Sequence, residues 1–377
     1  MASIERRTRD GKVTWVARWR DPDGRQRKRS FAKRSDADRC LTGAEHAKLV
    51  GTYVDPDRSR VTVDVWAAQW LAGQVHLKES TRVRYEGLLR RYVLPRWGST
   101  PLAKIGHAGV AGWVAELSIS GLSASSVRHA HRVLSLLLAL AVRDGRLPRN
   151  PADGVRLPRA STPPKRFLSH QQVADLAGAA GEYGLAVRVL AYCGLRYGEL
   201  AALRLERVDL LRRRIEVVES MTEIAGRAVF GTPKGHQCRS VPIPRGIADG
   251  LAEHLVGKAP DAFVFTAPGG GLLRLTNFRR RHFDRAAREV GLEGLTPHEL
   301  RHTAASLAVS AGANVKSVQR MLGHKSAAMT LDVYSGLFAD DLDAVAERLD
   351  AATVGSAVPR VCPEATVTPI TQRESGL

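Results

Sequence analysis

Leu295-Thr296-Pro297-His298-Glu299-Leu300-Arg301-His302 combines a helix start with a set of groups suited to phosphate chemistry. Thr296 at the N-cap, Pro297 at N1 and Glu299 at N3 form a capping box, with Leu295 and Leu300 as its hydrophobic staple. His298 then falls in the first turn, where free backbone N–H groups and the positive end of the helix dipole favour an anion. Arg301, three residues on, lies on the same face. A proton-transfer group and a guanidinium fork therefore point toward a phosphate site.

The same letters spell a rival motif. His298-Glu299-Leu300-Arg301-His302 matches H-E-x-x-H, the zinc metalloprotease signature. Against zinc, the helix begins too close to His298, and Arg301 sets a fixed cation between the two would-be ligands. No Glu occurs between Glu299 and Glu347 to serve as the downstream ligand, which leaves His324 as the candidate third ligand. No metal site is expected on this balance.

Working outward, the helix from His298 ends near Gly312. Asn314 caps a short helix to Leu322, Gly323 stops it, and His324 follows at once. Ser326 can cap the next helix, which carries Tyr334. Upstream, Cys193-Gly194-Leu195-Arg196-Tyr197-Gly198-Glu199-Leu200 places Arg196 between two helices. Gly194 supplies the turn and Glu199 stands one turn away to orient the guanidinium. Strands are expected at Arg214–Ser220, at Ala228–Pro233 and on to Ile243, with Lys234 at the tip of a β-hairpin. Singly, each of these has a bland reading: a surface arginine, a turn lysine, a packing tyrosine.

Charge narrows the field. Lys and Arg number 57 against 38 Asp and Glu, a formal +19, which favours a polyanion such as nucleic acid. Residues 1–60 hold 16 basic and 9 acidic side chains, and residues 61–165 hold 15 and 6, whereas residues 166–350 hold 24 and 21. The field thus belongs to the N-terminal segments. The longest apolar run, Val133 to Val142, falls short of the roughly 20 residues of a membrane span. A polar N-terminus gives no secretory signal. Cys40, Cys193, Cys238 and Cys362 are scattered without a C-x-x-C pair, in keeping with a reduced, cytoplasmic compartment.

The chain divides into segments. Val13, Trp15, Ala17 and Trp19 alternate as one buried face of a strand, Asp21-Pro22-Asp23-Gly24 turns, and a basic strand carries Arg25, Arg27 and Arg29. Ser35-Asp36 opens a helix. This small β-sheet plus helix module, residues 1–55, offers an Arg-rich ribbon to a DNA groove. Residues 56–160 read as all-α, with apolar faces at Trp66 and Trp70 and at Leu134, Leu137 and Leu138. Arg82, Arg84, Arg128 and Arg132 on its helices are DNA-binding candidates. Pro158 to Lys165, with Pro163-Pro164, is a linker. Residues 161–350 read as mixed α+β and mainly helical, opened by a Ser169/Gln172 capping box, and residues 351–377 as a disordered tail.

The ordered set Arg196, Lys234, His298, Arg301, His324 and Tyr334 resembles the active-site pattern of the tyrosine recombinase (phage integrase) family. The segments Gly-Leu-Arg-Tyr-Gly-Glu-Leu, His-Glu-Leu-Arg-His-Thr and Leu-Gly-His-Lys-Ser followed by Thr-Leu-Asp-Val-Tyr carry it, over residues 60–350. The resemblance implies a multidomain integrase: an arm-type DNA-binding module, a helical core-binding (SAM-like) domain and a catalytic domain. It further implies a Tyr334 nucleophile, Lys234 as the acid for the departing 5′-oxygen, no cofactor, double-stranded DNA as partner and a homotetramer on that DNA. DNA-bending and excision-directing accessory proteins are possible partners, and no membrane is. The alternatives left open are a non-catalytic DNA-binding protein of this fold and the zinc protease reading. A type IB topoisomerase uses similar residues, but the small arm-like module points to site-specific work.

Overall fold

A computed structural model describes residues 2–51, 53–55, 57–160, 165–233, 238–328, 330–331, 346–347 and 349–350. Lys234, Tyr334, Pro163-Pro164 and the 351–377 tail lie outside the described residues. The described chain falls into two compact units, one running to residue 160 together with Thr222–Ala228, the other beginning at Lys165.

The first unit opens with an antiparallel sheet of β1 (Ser3–Arg9), β2 (Lys12–Arg20) and β3 (Gln26–Phe31), followed by α1 (Arg34–Leu49). Ala17, Trp19 and Ala37 form its core with Ile4, Trp15, Phe31, Cys40, Leu41 and Ala44 around them. The expected turn is present: Gly24 N donates to the Asp21 carbonyl at 3.0 Å, with Gly24 at φ 81°. Register decides what the basic strand presents. Trp15 pairs with Phe31, Ala17 with Arg29 and Trp19 with Arg27, so Arg27 and Arg29 share the helix-covered face.

Arg27 is accordingly corrected from a DNA-facing residue to a structural one. Its Nε donates to Asp21 at 3.0 Å, and its two terminal nitrogens pair with Asp55 and Asp57. Only 16% of that side chain remains exposed. Those carboxylates, with Trp19 Nε1 donating to Tyr53 Oη at 2.9 Å, tie Tyr53, Asp55 and Asp57 back onto the module.

Then come α2 (Val63–Ala72), α3 (Glu79–Leu88), a π-helical turn at Leu89–Val93, α4 (Leu94–Trp97), α5 (His107–Ile119) and α6 (Ala124–Arg143). Trp66, Trp70, Trp97 and Trp113 pack with Leu134, Leu137 and Leu138. Buried indoles need a partner for their N–H, and Trp66 Nε1 finds the Leu137 carbonyl at 3.0 Å. None of the helices among the described residues is long and apolar enough to cross a membrane.

The second unit contains α7 (His170–Ala179), α8 (Gly184–Cys193), α9 (Tyr197–Ala201), β4 (Val208–Asp209), β5 (Arg214–Val217), β8 (Arg239–Pro242), α10 (Arg245–Leu255), α11 (Leu275–Phe278), α12 (Asp284–Glu289), α13 (Pro297–Ser310) and α14 (Val315–Leu322), while β6 (Ser220–Ile224) and β7 (Arg227–Gly231) are divided by the Thr222–Ala228 stretch assigned to the first. Leu176, Leu190, Leu200, Ile215, Val241, Phe278 and Leu300 belong to one buried cluster. Both expected capping boxes are formed, at Ser169/Gln172 and Thr296/Glu299.

The sheets depart from expectation. The strand read as Arg214–Ser220 is two strands, and β6 pairs with β7 around Ala225-Gly226. Both turn residues have positive φ, 48° and 77°, the geometry of a type I′ hairpin. β8 instead joins β5 in a separate sheet, β4-β5-β8. The strands that flank Lys234 in sequence, β7 and β8, thus join different sheets, and Lys234 itself lies outside the described residues.

Candidate active site

Arg196 stands between α8 and α9. Gly194 ends α8 at φ +64°, and a Cβ there would meet Leu322 Cδ2 at 2.8 Å, so only glycine makes this turn so close to α14. Glu199 orients the arginine as its spacing predicts. Arg196 N donates to Oε2 at 2.8 Å and Arg196 Nη1 to Oε1 at 2.7 Å. Glu199 is buried; burial pushes its carboxyl up, but hydrogen bonds and charge from Arg239 and Arg196 outweigh that and hold it below the usual range.

His298 is exposed in the first turn of α13, and its ring meets that of His302 edge-on with centroids 5.1 Å apart. Arg301, expected to aim a guanidinium fork at phosphate, is 2% exposed. Nη1 donates to the Gly194 carbonyl and Nη2 to the Leu322 carbonyl. Arg301 thus holds the turn before Arg196 and the end of α14 together.

Gly323 ends α14 at φ +63°, and His324 follows with its Nδ1 3.0 Å from the buried Thr330 hydroxyl. Burial, then the charges of Arg301 and Arg196, push the His324 ring down to about 4. His302 is likewise pushed down to about 4, by burial first and then by His298, Lys165 and Arg301. Both rings are neutral at pH 7.

Glu299, which the zinc reading needs as a general base, is engaged elsewhere. Its Oε2 accepts from Thr296 N at 2.7 Å, and its Oε1 accepts from Arg166 Nε at 3.3 Å. Among the described residues no three His, Cys, Asp or Glu side chains converge as a metal-ligand set.

One residue at this site escaped the sequence reading. Arg239 on β8 is 9% exposed. Its Nη2 and Nη1 donate to Glu199 Oε2 and Oε1 at 2.6 and 3.0 Å, and its Nε to the Met321 carbonyl at 2.9 Å. The signal was there: Arg239 is in phase with Val241, and alternation puts both on the buried face of β8.

The turns that carry Arg196 and His324, far apart in sequence, are thus joined within one unit by the hydrogen bonds of Arg301 to Gly194 and Leu322. Residues 166–339 match the phage integrase family. The integrase of Mycobacterium phage L5 is 26% identical over 336 residues, 85% of this chain and 89% of the relative. Residues 166–339 are a phage integrase domain, and this family and these relatives support site-specific recombinase activity.

Solved structures agree on the fold. The Tn1549 transposon integrase in complex with transposon right end DNA superposes with a TM-score of 0.67 at 24% identity, over 77% of the recombinase and 100% of that chain. A lambda integrase dimer bound to a core site gives 0.58 at 19%, over 87% and 93%. These are integrases with a helical core and small sheets, and the recombinase shares that fold.

The remaining DNA-binding candidates of the recombinase are dispersed. Arg82 and Arg84 are exposed on α3, and Arg128 and Arg132 on α6. Arg84 and Arg132 come together, lining a recess with Ser80, Thr81, Tyr85 and His129. Burial, then those two arginines, lower the His129 pKa. Arg128 donates to the Pro158 carbonyl at 3.3 Å. Arg25 is exposed at the β2–β3 turn, and Arg29 lies over the Phe31 ring at 5.2 Å.

Proposed function

We propose that the recombinase breaks a DNA strand with Tyr334 as nucleophile and rejoins it from a 3′-phosphotyrosine, with neither metal nor ATP. The phenol oxygen bonds to phosphorus as the P–O5′ bond breaks. His298 takes the phenol proton and Lys234 protonates the departing 5′-oxygen. One phosphoester replaces another, so the bond energy is kept for resealing. Arg196 carries the charge developing on the non-bridging oxygens, with Arg301 behind it as the buried strut and second positive centre. His324, neutral and engaged at Nδ1 by the Thr330 hydroxyl, presents Nε2 to the same phosphate. The observation that carries this reading is Arg301 bridging Gly194 and Leu322, because it brings the Arg196 turn and the His324 turn into one frame.

The three-part organisation belongs to the same proposal: an arm-type module at 1–55, a core-binding domain at 56–160 and a catalytic domain at 161–350. On the module, the register recommends the open face of the sheet for DNA. Arg7, Arg9, Lys12, Arg18, Arg20 and Lys28 lie there, opposite α1, with Glu5 as the acidic exception. Arg84 and Arg132 offer a phosphate contact on the core-binding helices. A lambda integrase tetramer on a Holliday junction is among the similar structures, which supports a tetramer on DNA here. Accessory bending and excision proteins remain part of the proposal.

Incubating the chain with a nicked duplex whose downstream strand diffuses away after cleavage tests this reading. A covalent protein–DNA adduct that forms in EDTA is expected. Tight duplex binding with no adduct would favour a non-catalytic DNA-binding protein, and activity that chelation abolishes and zinc restores would favour a metal enzyme.

A further inference from the structure

We infer that Arg239 is a positioning residue for strand cleavage, one side chain that sets both the Arg196 guanidinium and the His324 turn. The inference rests on the recombinase reading above and adds to it a residue absent from the six-residue active-site set.

The argument starts from cost. A buried guanidinium is expensive unless its charge and its N–H groups are met. Arg239 meets them in two directions. Its terminal nitrogens grip both oxygens of Glu199, at 2.6 and 3.0 Å, and its Nε donates to the Met321 carbonyl at 2.9 Å. The same Glu199 oxygens accept from Arg196 N and Arg196 Nη1. Glu199 is therefore a junction taking one bond from each arginine on each oxygen.

Electrostatics explains why one carboxylate serves two arginines. Arg239 and Glu199 form a neutral buried pair, with 7% and 0% of their side chains exposed. Arg196, 24% exposed, is held at Nη1 by a carboxylate whose charge is already matched. Its own positive charge stays in surplus at the rim, where a phosphate needs it.

The second direction reaches His324. Met321 is in the last turn of α14, and Gly323 stops that helix. A Cβ on Gly323 would stand 2.9 Å from Arg239 Cδ, so the turn is seated against the arginine stem itself. Arg301 takes the neighbouring Leu322 carbonyl. Two arginines thus grasp successive carbonyls of the helix that delivers His324, and Arg239 ties this grasp to Glu199.

The test compares the full-length chain with Arg239→Met and Arg239→Lys, scoring duplex affinity, melting temperature and single-turnover cleavage of the nicked duplex. Two substrates are used, one with the normal scissile phosphate and one with a neutral methylphosphonate there. Misplacing a catalytic group by an ångström costs on the order of a hundredfold in rate, and that loss is expected for both variants on the charged substrate with affinity kept. On methylphosphonate the loss should shrink severalfold, since less charge awaits Arg196. Lysine should restore the melting temperature and not the rate, because a point charge cannot hold Glu199 and the Met321 carbonyl together.

Equal losses on the two substrates, parental rates, or a lysine variant recovering rate and melting temperature in step would overturn the inference. So would collapse of both variants into unfolded chain, which would make Arg239 a folding residue only. Absence of any adduct with the unsubstituted protein would instead sink the recombinase reading.

Discussion

Arg301 Nη1 donates to the carbonyl of Gly194, 107 residues away in sequence, and so the arginine of α13 holds the turn that presents Arg196. The two arginines consequently differ in kind. Removing Arg301 strands two buried carbonyls, at about 1–3 kcal/mol for each unsatisfied group. Arg301→Ala should lower the melting temperature sharply and lose cleavage with it. Arg196→Ala leaves Glu199 paired with Arg239, so stability should stay near parental while cleavage falls by roughly 10²–10³-fold, as for a lost oxyanion donor. Thermal melts beside single-turnover rates check this, and equal melting losses in the two variants would contradict it.

His302 and His324 make stability fall in acid. Both rings sit at about 4 in the folded chain against 6.5 unperturbed. Between those values the unfolded chain binds the extra protons, so stability is full above pH 6.5 and is lost as pH falls toward 4. Melting temperatures from pH 7 downward should show this loss, and His324→Gln should flatten it. A slope unchanged by that substitution would remove His324 from the account.

In the N-terminal module, Arg27 and the open sheet face should respond differently. Arg27→Ala leaves Asp21 and Asp55 buried without their cation, and should expose the module to protease at parental ionic-strength dependence. Arg18→Ala with Lys28→Ala should keep the module folded. On long DNA that pair should reduce the salt slope by about 0.9 for each phosphate that is no longer neutralised. If Arg27→Ala changes the salt slope and not proteolysis, the assignment of faces is reversed.

Deleting residues 1–57 should leave cleavage of a short core site and abolish recombination of full attachment sites. The cut follows Asp57 because Asp55 and Asp57 pair with Arg27 and belong with the module. Full-site recombination by the truncated chain would make the module dispensable.

Much of this was legible in residue order. The caps at Ser169, Thr296 and Asn314 and the stops at Gly194 and Gly323 are local events, written in a few adjacent letters, and the structure has them where expected. Glu199 orienting Arg196 was legible for the same reason, being one helical turn away. Long-range partners were not. Nothing near Arg301 announces the Gly194 and Leu322 carbonyls, and nothing near Lys234 says that β7 and β8 join different sheets. Arg27 and Arg239 lie between these cases. Their phase with Phe31 and Val241 marked them as inward-facing, but a charged residue in a strand reads as exposed until its carboxylate partner is found.

The most direct measurement of the central claim is the site of covalent attachment. Protein trapped on the nicked duplex, digested with nuclease and trypsin and read by mass spectrometry, should carry its nucleotide on Tyr334 through the 3′-phosphate. Tyr334→Phe should bind the duplex and yield no adduct. A nucleotide on any other residue, or an adduct that persists in Tyr334→Phe, would contradict the account.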